Sequence, residues 1–441
     1  MVCEGVPGSL VGDRVNDWTT MRALILTFGT RGDIQPYAAL AEQLTKSGHE
    51  AVLAAPDSYR ATVAADVRFR PMATAMDQVM RDGMTRLRGP AHALTLARRM
   101  YGAMRTSLRE QWEIAQEVQP GVVVAHPKAL GGLHVAERLG VPFVASLPLP
   151  FLTPTSAFPI PFMTRQLPAS LNRATYDVNR FTAIAYGGMI NRFRRDTLGL
   201  PRMSRFSDYL VTRAGDEVEV LYPFSRHVVP VPADYPASAH VTGYWLRDTA
   251  PEWDPPRDLL DFLNGAKPVV YLGFGSMGFG ARAQERGRLV QEALREAGVR
   301  AVVSTGWGSL AIAPSEHVHP VDDVPHDWLF PRVDAVIHHG GSGTTAAGLR
   351  AGRPTLVCPV LGDQPFWGGR VHALGVGPRP LPLRQATPHA LTERIVDLVS
   401  NRAYRPAAAE LGARISAEDG LGNATRALEE LTQRAGEHVG P

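Results

Sequence analysis

The sequence predicts an α/β protein built from two Rossmann-like, doubly wound domains, each with a parallel sheet. Short apolar runs recur along the chain and alternate with stretches of helical apolar spacing, which is the pattern of β-α-β units. A chain of 441 residues is also longer than one core usually supports, so two domains are expected. Each doubly wound sheet opens a ligand crevice at the carboxyl ends of its strands.

The first β-α-β unit begins at Met21. Residues 21–28 form a continuous apolar run, which is typical of a parallel strand buried on both faces. The turn GTRGDIQP (residues 29–36) follows, and residues 37–46 have helical spacing that Gly48 ends. Residues 50–55 read as the next strand. The right-handed crossover rule then makes the two strands parallel.

The rest of both halves repeats this alternation. In the first half we predict strands at 67–70, 122–125, 143–146 and 241–245 and a long helix at 91–118. In the second half we predict strands at 268–274, around Val302 and Val318, at 334–338 and at 354–358, and late helices near 391–399, at 403–415 and at 423–432. Proline density and lost periodicity mark a linker. The predicted boundaries are a disordered tail at 1–20, a first domain at 21–245, a linker at 246–258 and a second domain at 259–441.

A glycine-rich turn in the second half predicts an anion site. The strand 334–338 ends at His338, the turn 340–343 cannot continue it, and a helix is predicted at 344–351. Free backbone N–H groups and the positive end of the helix dipole point into such a turn. His338 adds a side-chain donor. The other candidate contacts are Gly340, Gly341, Ser342, Gly343 and Thr344.

A second glycine turn, GFGSMG at 273–278, matches G-x-G-x-x-G after a strand. This motif alone is weak support for a dinucleotide site. Gly275 and Ser276 either contact phosphate or form a simple tight turn. If both turns cradle phosphate, they face one crevice.

The loop GDQPFW (residues 362–367) lies at the end of the strand 354–358. The carboxylate of Asp363 and the amide of Gln364 suit the hydroxyls of a polyol, or they cap the helix that follows. A phosphate site beside a polyol site predicts a nucleotide-sugar ligand. No D-x-D motif occurs, and the neighbouring His338 and His339 point to opposite faces of a strand, so we predict no metal and no resident cofactor.

Residues 147–168 break the alternation with prolines and large apolar side chains. They form either a surface loop or the wall of an apolar pocket. The candidate pocket residues are Phe151, Phe158, Phe162 and Met163. The basic stretch 191–201 is read as a solvated helix face, with a membrane-surface patch as the alternative, so membrane contact is expected to be peripheral at most.

Composition excludes several classes of protein. A net charge of +3 gives no reason to expect nucleic-acid binding. The two cysteines, Cys3 and Cys358, form no disulfide framework, which favours the cytoplasm. No apolar run is long enough to span a membrane. Charged residues interrupt the first 20 residues, so they are not a signal peptide, and Met21 is an alternative start.

Three motifs resemble the donor-binding signature of family-one glycosyltransferases: VPHDWLFP at 324–331, HHGGSGTT at 338–345 and GDQPFW at 362–367. The sterol glucosyltransferase branch is the nearest, and glycopeptide-antibiotic glycosyltransferases are more distant. The resemblance covers nearly all of the chain from Met21. It implies the GT-B architecture, with the last helix packing back on the first domain, and a nucleotide sugar, such as UDP-glucose, as donor.

The same resemblance implies roles for particular residues. His338 would contact the diphosphate, Asp363 and Gln364 the sugar, and backbone groups around Val324 the base. Gly29 and Thr30 would lie beside the donor.

The turn GTRGD has the form found in the sterol and glycopeptide branches, in which the aspartate is the proposed base. The resemblance therefore implies Asp33 as the catalytic base, where many other relatives have a histidine. Asp33 could instead be only the N-cap of the helix after it.

The leading hypothesis is therefore an inverting, metal-independent glycosyltransferase that moves a hexose to a hydroxyl of a bulky apolar acceptor. Sterols, triterpenoids and polyketide products all fit as acceptors, and both UDP and TDP fit as donors. A nucleotide-sugar epimerase of the same fold and an inactive auxiliary partner of a transferase are the alternatives. The sequence carries no signal of an oligomeric state.

Overall fold

The fold comes from a computed structural model, which describes residues 20–86, 89–163, 167–204, 211–212, 215–247, 253–265, 268–275, 282–306 and 310–438. It contains two sheets whose paired strands all run parallel. The predicted α/β class with two doubly wound sheets is confirmed.

The first sheet has seven strands in the order β3-β2-β1-β4-β5-β6-β7. They are β1 (Arg22–Leu26), β2 (Glu50–Ala55), β3 (Arg68–Pro71), β4 (Val122–Ala125), β5 (Phe143–Ser146), β6 (Glu219–Tyr222) and β7 (Ala239–Val241). The second sheet has five strands in the order β10-β9-β8-β11-β12. They are β8 (Val269–Gly273), β9 (Arg300–Ser304), β10 (Val318–Val321), β11 (Ala335–His338) and β12 (Thr355–Val357).

Helices cover both faces of each sheet. In the first half they are α1 (Arg31–Lys46), α2 (Thr74–Arg86), α3 (Gly89–Val118), α4 (Gly132–Leu139), α5 (Ala169–Thr175) and α6 (Asn179–Asp196). In the second half they are α7 (Arg257–Asn264), α8 (Ala283–Glu296), α9 (His326–Leu329), α10 (Ser342–Arg350), α11 (Gln364–Ala373), α12 (Pro388–Ser400), α13 (Tyr404–Ser416) and α14 (Gly420–His438).

The strand order fixes where each crevice lies. In the first sheet β1 pairs with β2 on one side and β4 on the other, and in the second sheet β8 pairs with β9 and β11. The chain reverses its winding direction at β1 and at β8, so a crevice opens beyond their carboxyl ends. The loops after β1, β4, β8 and β11 therefore line the two crevices.

Several predicted elements differ in the structure. Helix α1 begins at Arg31, inside the turn predicted at 29–36. The strand predicted at 241–245 ends at Val241, and Trp245 is instead buried near Tyr37, with ring centroids 5.9 Å apart. Gly243 adopts φ +99, which bends the chain out of the sheet. The helix predicted from Thr344 begins two residues earlier, at Ser342, because Gly341 is its N-cap.

The last helix packs on the first domain. Ala424 and Leu428 of α14 are buried in the same cluster as strand β1 and helix α1. The Asn423 amide donates to the Thr242 carbonyl (2.9 Å), and Glu429 lies 2.9 Å from His49 Nε2. The end of the chain thus returns to the sheet where the chain began.

Residues 1–19 of the predicted tail lie outside the described residues, and so does Ser276. No described helix is long and apolar enough to span a membrane.

Candidate functional site

The two domains meet through loops at the carboxyl ends of their strands. Arg31, after β1, lies 2.7 Å from Asp323 of the second domain. The Ser342 hydroxyl donates to the Pro148 carbonyl at 2.9 Å, so the turn before α10 contacts the apolar loop after β5. These contacts bring the two crevices together into one cleft.

Gly340 and Gly341, in the turn between β11 and α10, have no room for a side chain. Gly340 adopts φ +94, and a Cβ there would lie 2.6 Å from a methyl group of Val357. A Cβ on Gly341 would lie 2.6 Å from His339 Nε2. Glycine at both positions therefore lets the backbone N–H groups at the start of α10 face the cleft, as an anion site requires.

His338 lies beside this turn with one nitrogen free to donate. The ring is fully buried, and its Nδ1 accepts the Gly340 backbone N–H at 2.9 Å. The neutral ring must then carry its proton on Nε2. Among the described residues Nε2 has no hydrogen-bond partner. Burial, reinforced by His339 and His326, holds the pKa of His338 well below its usual value, so the ring is a neutral donor.

His339 has a packing role. Its ring fills the space between the two glycine turns, since a Cβ on Gly275 would lie 2.7 Å from His339 Cε1. Gly275 also adopts φ +60, which disfavours other residues. The strand thus presents His338 and His339 to different surroundings, and their ring centroids are 6.2 Å apart.

The hydroxyls near the start of α10 are partly engaged. Ser342 bonds the first domain, and Thr345 Oγ1 donates to the Gly341 carbonyl at 2.9 Å. Gly343 approaches the first domain, since a Cβ added to it would lie 4.0 Å from Gly32 Cα. Thr344 follows within the first turn of α10.

Asp33 lies opposite, in the first turn of α1. Thr30, rather than Asp33, is the N-cap, and Asp33 is the third helical residue. Asp33 Oδ2 accepts the backbone N–H of Thr30 (2.7 Å) and the Thr30 hydroxyl (3.0 Å), as in a capping box. The side chain is 16% exposed, so it is ordered by the helix start yet open to the cleft.

Two residues that we did not predict from the sequence surround Asp33. Lys128 Nζ lies 2.7 Å from Oδ2, and His126 Nε2 lies 3.2 Å from Oδ1, without the geometry of a hydrogen bond. Burial alone would raise the pKa of Asp33, but Lys128 and His126 outweigh it and hold the pKa well below its usual range. Both residues follow β4 directly, at the edge of the crevice. This position is the sequence signal by which they could have been identified.

Gly29 makes this cluster possible. It adopts φ +141, and a Cβ there would collide with the Asp33 carboxylate and lie 2.9 Å from Lys128 Nζ. We expect Gly29→Ala to lower stability and to displace Asp33. Gly48→Ala is the matched control, because Gly48 also has a positive φ (+86) but open space around it. Thermal unfolding should show the control losing about 1 kcal/mol from backbone strain alone and Gly29→Ala losing clearly more. Equal losses would show that the contact with Asp33 is unimportant.

Asp363 and Gln364 begin helix α11 on the second-domain side of the cleft. Trp367 Nε1 donates to Asp363 Oδ2 at 2.9 Å. Burial raises the pKa of Asp363, the Trp367 N–H opposes this, and Asp33 raises it further. From across the cleft, Asp33 and Lys128 thus act on the pKa of Asp363 in opposite directions. Gln364 Oε1 accepts the N–H groups of Val360 (2.7 Å) and Leu361 (3.1 Å), so this oxygen shapes the loop.

The aromatic loop of the first domain faces Asp363. Phe162 packs edge-on against Phe151, with centroids 4.9 Å apart, and its ring lies 3.9 Å from the Cβ position of Gly362. Phe158 approaches Phe366 at 6.2 Å. Phe162 and Met163 are 49% and 41% exposed. The aromatic loop thus offers an apolar surface beside the loop that carries Asp363.

The segment around Val324 lies between β10 and α9. Val324 is buried in the second-domain core. Trp328 packs against Trp253, with centroids 4.8 Å apart, and the Arg332 guanidinium covers its ring at 4.3 Å. These contacts give Trp328 a structural role.

The described residues contain no group of three or more His, Cys, Asp or Glu that could hold a metal ion.

Comparison with protein families gives two matches, one in each half of the chain. Residues 23–159 match the glycosyltransferase family 28 N-terminal domain. Residues 302–431 match the C-terminal domain of erythromycin biosynthesis protein CIII-like proteins. The first match contains Asp33, His126 and Lys128, and the second contains His338 and Asp363.

Two curated relatives are sterol 3-beta-glucosyltransferases. One from Arabidopsis thaliana is 34% identical over 92% of this chain and 68% of its own length. One from Cryptococcus neoformans is 34% identical over 93% of this chain and 27% of its own length. The chain thus spans about two thirds of the plant relative and about a quarter of the fungal one.

Solved structures agree on the fold. The glycosyltransferase SsfS6 of Streptomyces sp. SF2575, crystallised with thymidine diphosphate, matches 93% of this chain and 99% of its own with a TM-score of 0.56 and 20% identity. This likeness shows the two-domain GT-B fold. With the fold, both domain matches and the plant relative in agreement, the chain belongs to the glycosyltransferase family that includes the sterol 3-beta-glucosyltransferases.

Proposed function

We propose that the protein is an inverting, metal-independent glycosyltransferase that moves a hexose, glucose from UDP-glucose in the first instance, to a hydroxyl of a bulky apolar acceptor. One observation carries this proposal: the buried Nε2–H of His338 has no partner among the described residues, beside the N-terminus of α10. A buried donor without a partner is costly unless a ligand accepts from it. A diphosphate oxygen is such an acceptor.

The donor site would hold the leaving group without a metal. Backbone N–H groups at Gly341 to Gly343, the α10 dipole and the His338 N–H would stabilise the negative charge that grows on the diphosphate as the bond to the sugar breaks. Gly275 would allow the second turn to approach the same phosphates. Asp363 and Gln364 would bind the sugar hydroxyls, and the backbone around Val324 would bind the base.

The acceptor would enter from the first-domain side. Its hydroxyl oxygen would attack the anomeric carbon, the bond from that carbon to the diphosphate oxygen would break, and the hydroxyl proton would pass to Asp33. A single displacement of this kind inverts the anomeric carbon. The Asp33 carboxylate is ionised throughout the neutral range, and Lys128 and His126, which depress its pKa, also make it a weaker base than an ordinary aspartate.

The apolar loop would provide the acceptor surface, because Phe158 and Phe162 face the Asp363 loop. We expect Phe162→Ala to change the preference between a flat polycyclic alcohol and a small phenol by up to about tenfold, the scale of a lost phenyl contact. Donor hydrolysis without acceptor should be unchanged, which makes it the internal control. If the ratio of the two transfer rates is the same in Phe158→Ala and Phe162→Ala as in the natural protein, the loop does not contact the acceptor.

Asp363 would distinguish the sugar from the nucleotide. We expect Asp363→Asn to leave UDP affinity unchanged and to raise the KM for UDP-glucose by about tenfold or more, since a hydrogen bond to a charged group contributes about 1.5–3 kcal/mol. The asparagine can still accept from Trp367, so the loop is retained. Titration calorimetry with UDP and steady-state kinetics with UDP-glucose separate the two effects. An equal loss for both ligands would place Asp363 outside the sugar site.

The direct test is a transfer screen in the presence of EDTA. UDP-glucose and TDP-glucose are each incubated with a panel of polycyclic alcohols, and products are read by mass spectrometry and by NMR of the anomeric proton. We expect a hexosylated alcohol with inverted configuration. Epimerised donor without transfer, or activity only without EDTA, would refute the proposal. We also propose the cytoplasm as the compartment, on composition alone.

A further inference from the structure

Helix α6 displays an exposed stripe that the transferase mechanism does not use. Phe181, Ile184, Gly188, Arg192 and Arg195 recur at intervals of three and four residues, so they share one helix face. Phe181 is 64% exposed and Ile184 46%. The N-terminal half of the stripe is therefore apolar and its C-terminal half is basic.

The basic half borders an open cavity of about 360 Å³, lined by Gly188, Asn191, Arg192, Arg195 and Arg202. Arg195 pairs with Asp196 at 2.7 Å, and Arg192 and Arg202 also act on that carboxylate and help to lower its pKa. Counted over the described residues that line the cavity and the Asp196 carboxylate, three guanidinium groups and one carboxylate leave a net charge of +2.

The cavity is held in shape by buried contacts. Arg194, fully buried on the opposite face of α6, donates to both Glu137 oxygens and, through Nε, to the Pro201 carbonyl at 2.8 Å. Asn191 exchanges two hydrogen bonds with the Met203 backbone, at 2.9 and 2.8 Å. These bonds fix the segment that carries Arg202 against the end of α6, so the arginines are presented together.

The apolar half continues towards the aromatic loop. The Asn179 side chain at the start of α6 donates to the Phe151 carbonyl at 2.9 Å, and the Ile160 N–H donates to Thr175 Oγ1 at 2.9 Å. Exposed Leu171 and Val178 lie in the segment just before the stripe, and Phe162 and Met163 lie in the loop itself. Exposed apolar side chains beside a basic cavity are the combination found on membrane-contact surfaces.

We propose that this face of α6 docks on a membrane that contains anionic phospholipids. Phe181 and Ile184 enter the interface, and the cavity bordered by Arg192 and Arg202 takes a lipid phosphate. Arginine suits that role because its guanidinium binds phosphate oxygens in pairs. Docking also places the aromatic loop where an apolar acceptor dissolved in lipid can reach it, and this role rests on the proposed function.

Vesicle co-sedimentation of the full chain tests docking without any substrate. Vesicles of phosphatidylcholine are compared with vesicles of phosphatidylcholine and phosphatidylglycerol. The natural protein should bind the anionic vesicles more strongly, and added salt should weaken that binding. Arg192→Gln/Arg202→Gln should lose roughly tenfold or more on anionic vesicles, since each arginine contributes roughly fivefold near such a surface. Phe181→Gln/Ile184→Gln should lose binding to both kinds of vesicle.

The controls carry the same changes elsewhere on the exposed surface: Arg288→Gln/Arg295→Gln on α8 and Val396→Gln on α12. They should bind as the natural protein does. The proposal is overturned if the natural protein stays in solution with anionic vesicles at low salt, or if the α6 variants bind as well as these controls.

Transfer assays separate this proposal from the proposed function. The α6 variants should glycosylate an acceptor held in detergent at the normal rate and an acceptor held in anionic vesicles more slowly. Vesicle binding with no transfer to any acceptor would refute the transferase proposal and leave docking intact. Equal rates with the vesicle acceptor in variants and natural protein would refute the role of docking in acceptor delivery.

Discussion

Asp33→Asn should reduce the rate of glycosyl transfer by about a hundredfold or more, the usual scale for loss of a general base. The amide cannot take the acceptor proton. It can still accept the Thr30 N–H, so the start of α1 should be retained. The depressed pKa of Asp33 means that folding favours its charged form, so the neutral amide should lower the melting temperature, with the half-exposed Lys128 limiting the loss. UDP affinity should remain close to that of the natural protein, which shows that the folded site is retained. Near-normal turnover in this variant would place the base elsewhere.

The pH dependence gives a second readout of Asp33. Because its folded-state pKa is depressed, the carboxylate stays ionised above about pH 4, the usual aspartate value, and transfer should not fall through Asp33 protonation in that range. Lys128→Met removes a cation that lowers this pKa, and burial then raises it. The acid limb of kcat/KM should move to higher pH. Lys46→Met, at the exposed end of α1, is the control and should not move it. The same profile in both variants would show that Lys128 does not tune Asp33.

His338 should discriminate between UDP and uridine. The proposed contact is to phosphate, so removal of the Nε2–H should weaken UDP by about 1–3 kcal/mol, or about fivefold to over a hundredfold, and leave uridine nearly unaffected. Two substitutions separate the two ring nitrogens. His338→Asn can still accept the Gly340 N–H in place of Nδ1 but has no donor at the Nε2 position. His338→Gln can place an amide N–H near Nε2 but loses the bond to Gly340.

Titration calorimetry with both ligands reads the difference. We expect His338→Asn to lose UDP affinity and His338→Gln to retain more of it. The low pKa keeps the ring neutral, so UDP affinity should not rise as pH falls through about 6.5, where an ordinary histidine becomes charged. Equal losses for UDP and uridine would show that His338 only shapes the turn. A rise in affinity below about pH 6.5 would show that a charged imidazolium binds the phosphate.

The fold was predictable because its strongest signal is local. The run 21–28 contains β1, and the runs 122–125 and 143–146 coincide with β4 and β5. The 241–245 prediction was wrong because its apolar side chains are buried without a strand: Trp245 packs on Tyr37 from outside the sheet. An apolar run reports burial, and burial alone does not distinguish a strand from an irregular segment.

The site was less predictable because its chemistry depends on contacts between distant parts of the chain. Glycine turns at 273–278 and 338–345 are visible in the sequence, yet His126 and Lys128 are single residues after a strand, with no motif around them. Only the parallel pairing of β1 with β4 places them against Asp33. The Nε2–H of His338, which has no partner in the part of the chain that the structure describes, likewise depends on the Gly340 bond, which no sequence pattern specifies.

The return of α14 to the first sheet makes the first domain discontinuous along the chain. Its core includes Ala424 and Leu428, so the part of the chain that carries β8 to β12 lies between two segments that build the first domain. Gly243 and Gly420 mark this junction, because a Cβ on Gly243 would lie 3.2 Å from Gly420 Cα. A chimaera that exchanges donor specificity between relatives therefore needs two crossover points. A single crossover between β7 and β8 would import a foreign α14 and leave it to pack against a helix α1 with which it did not evolve.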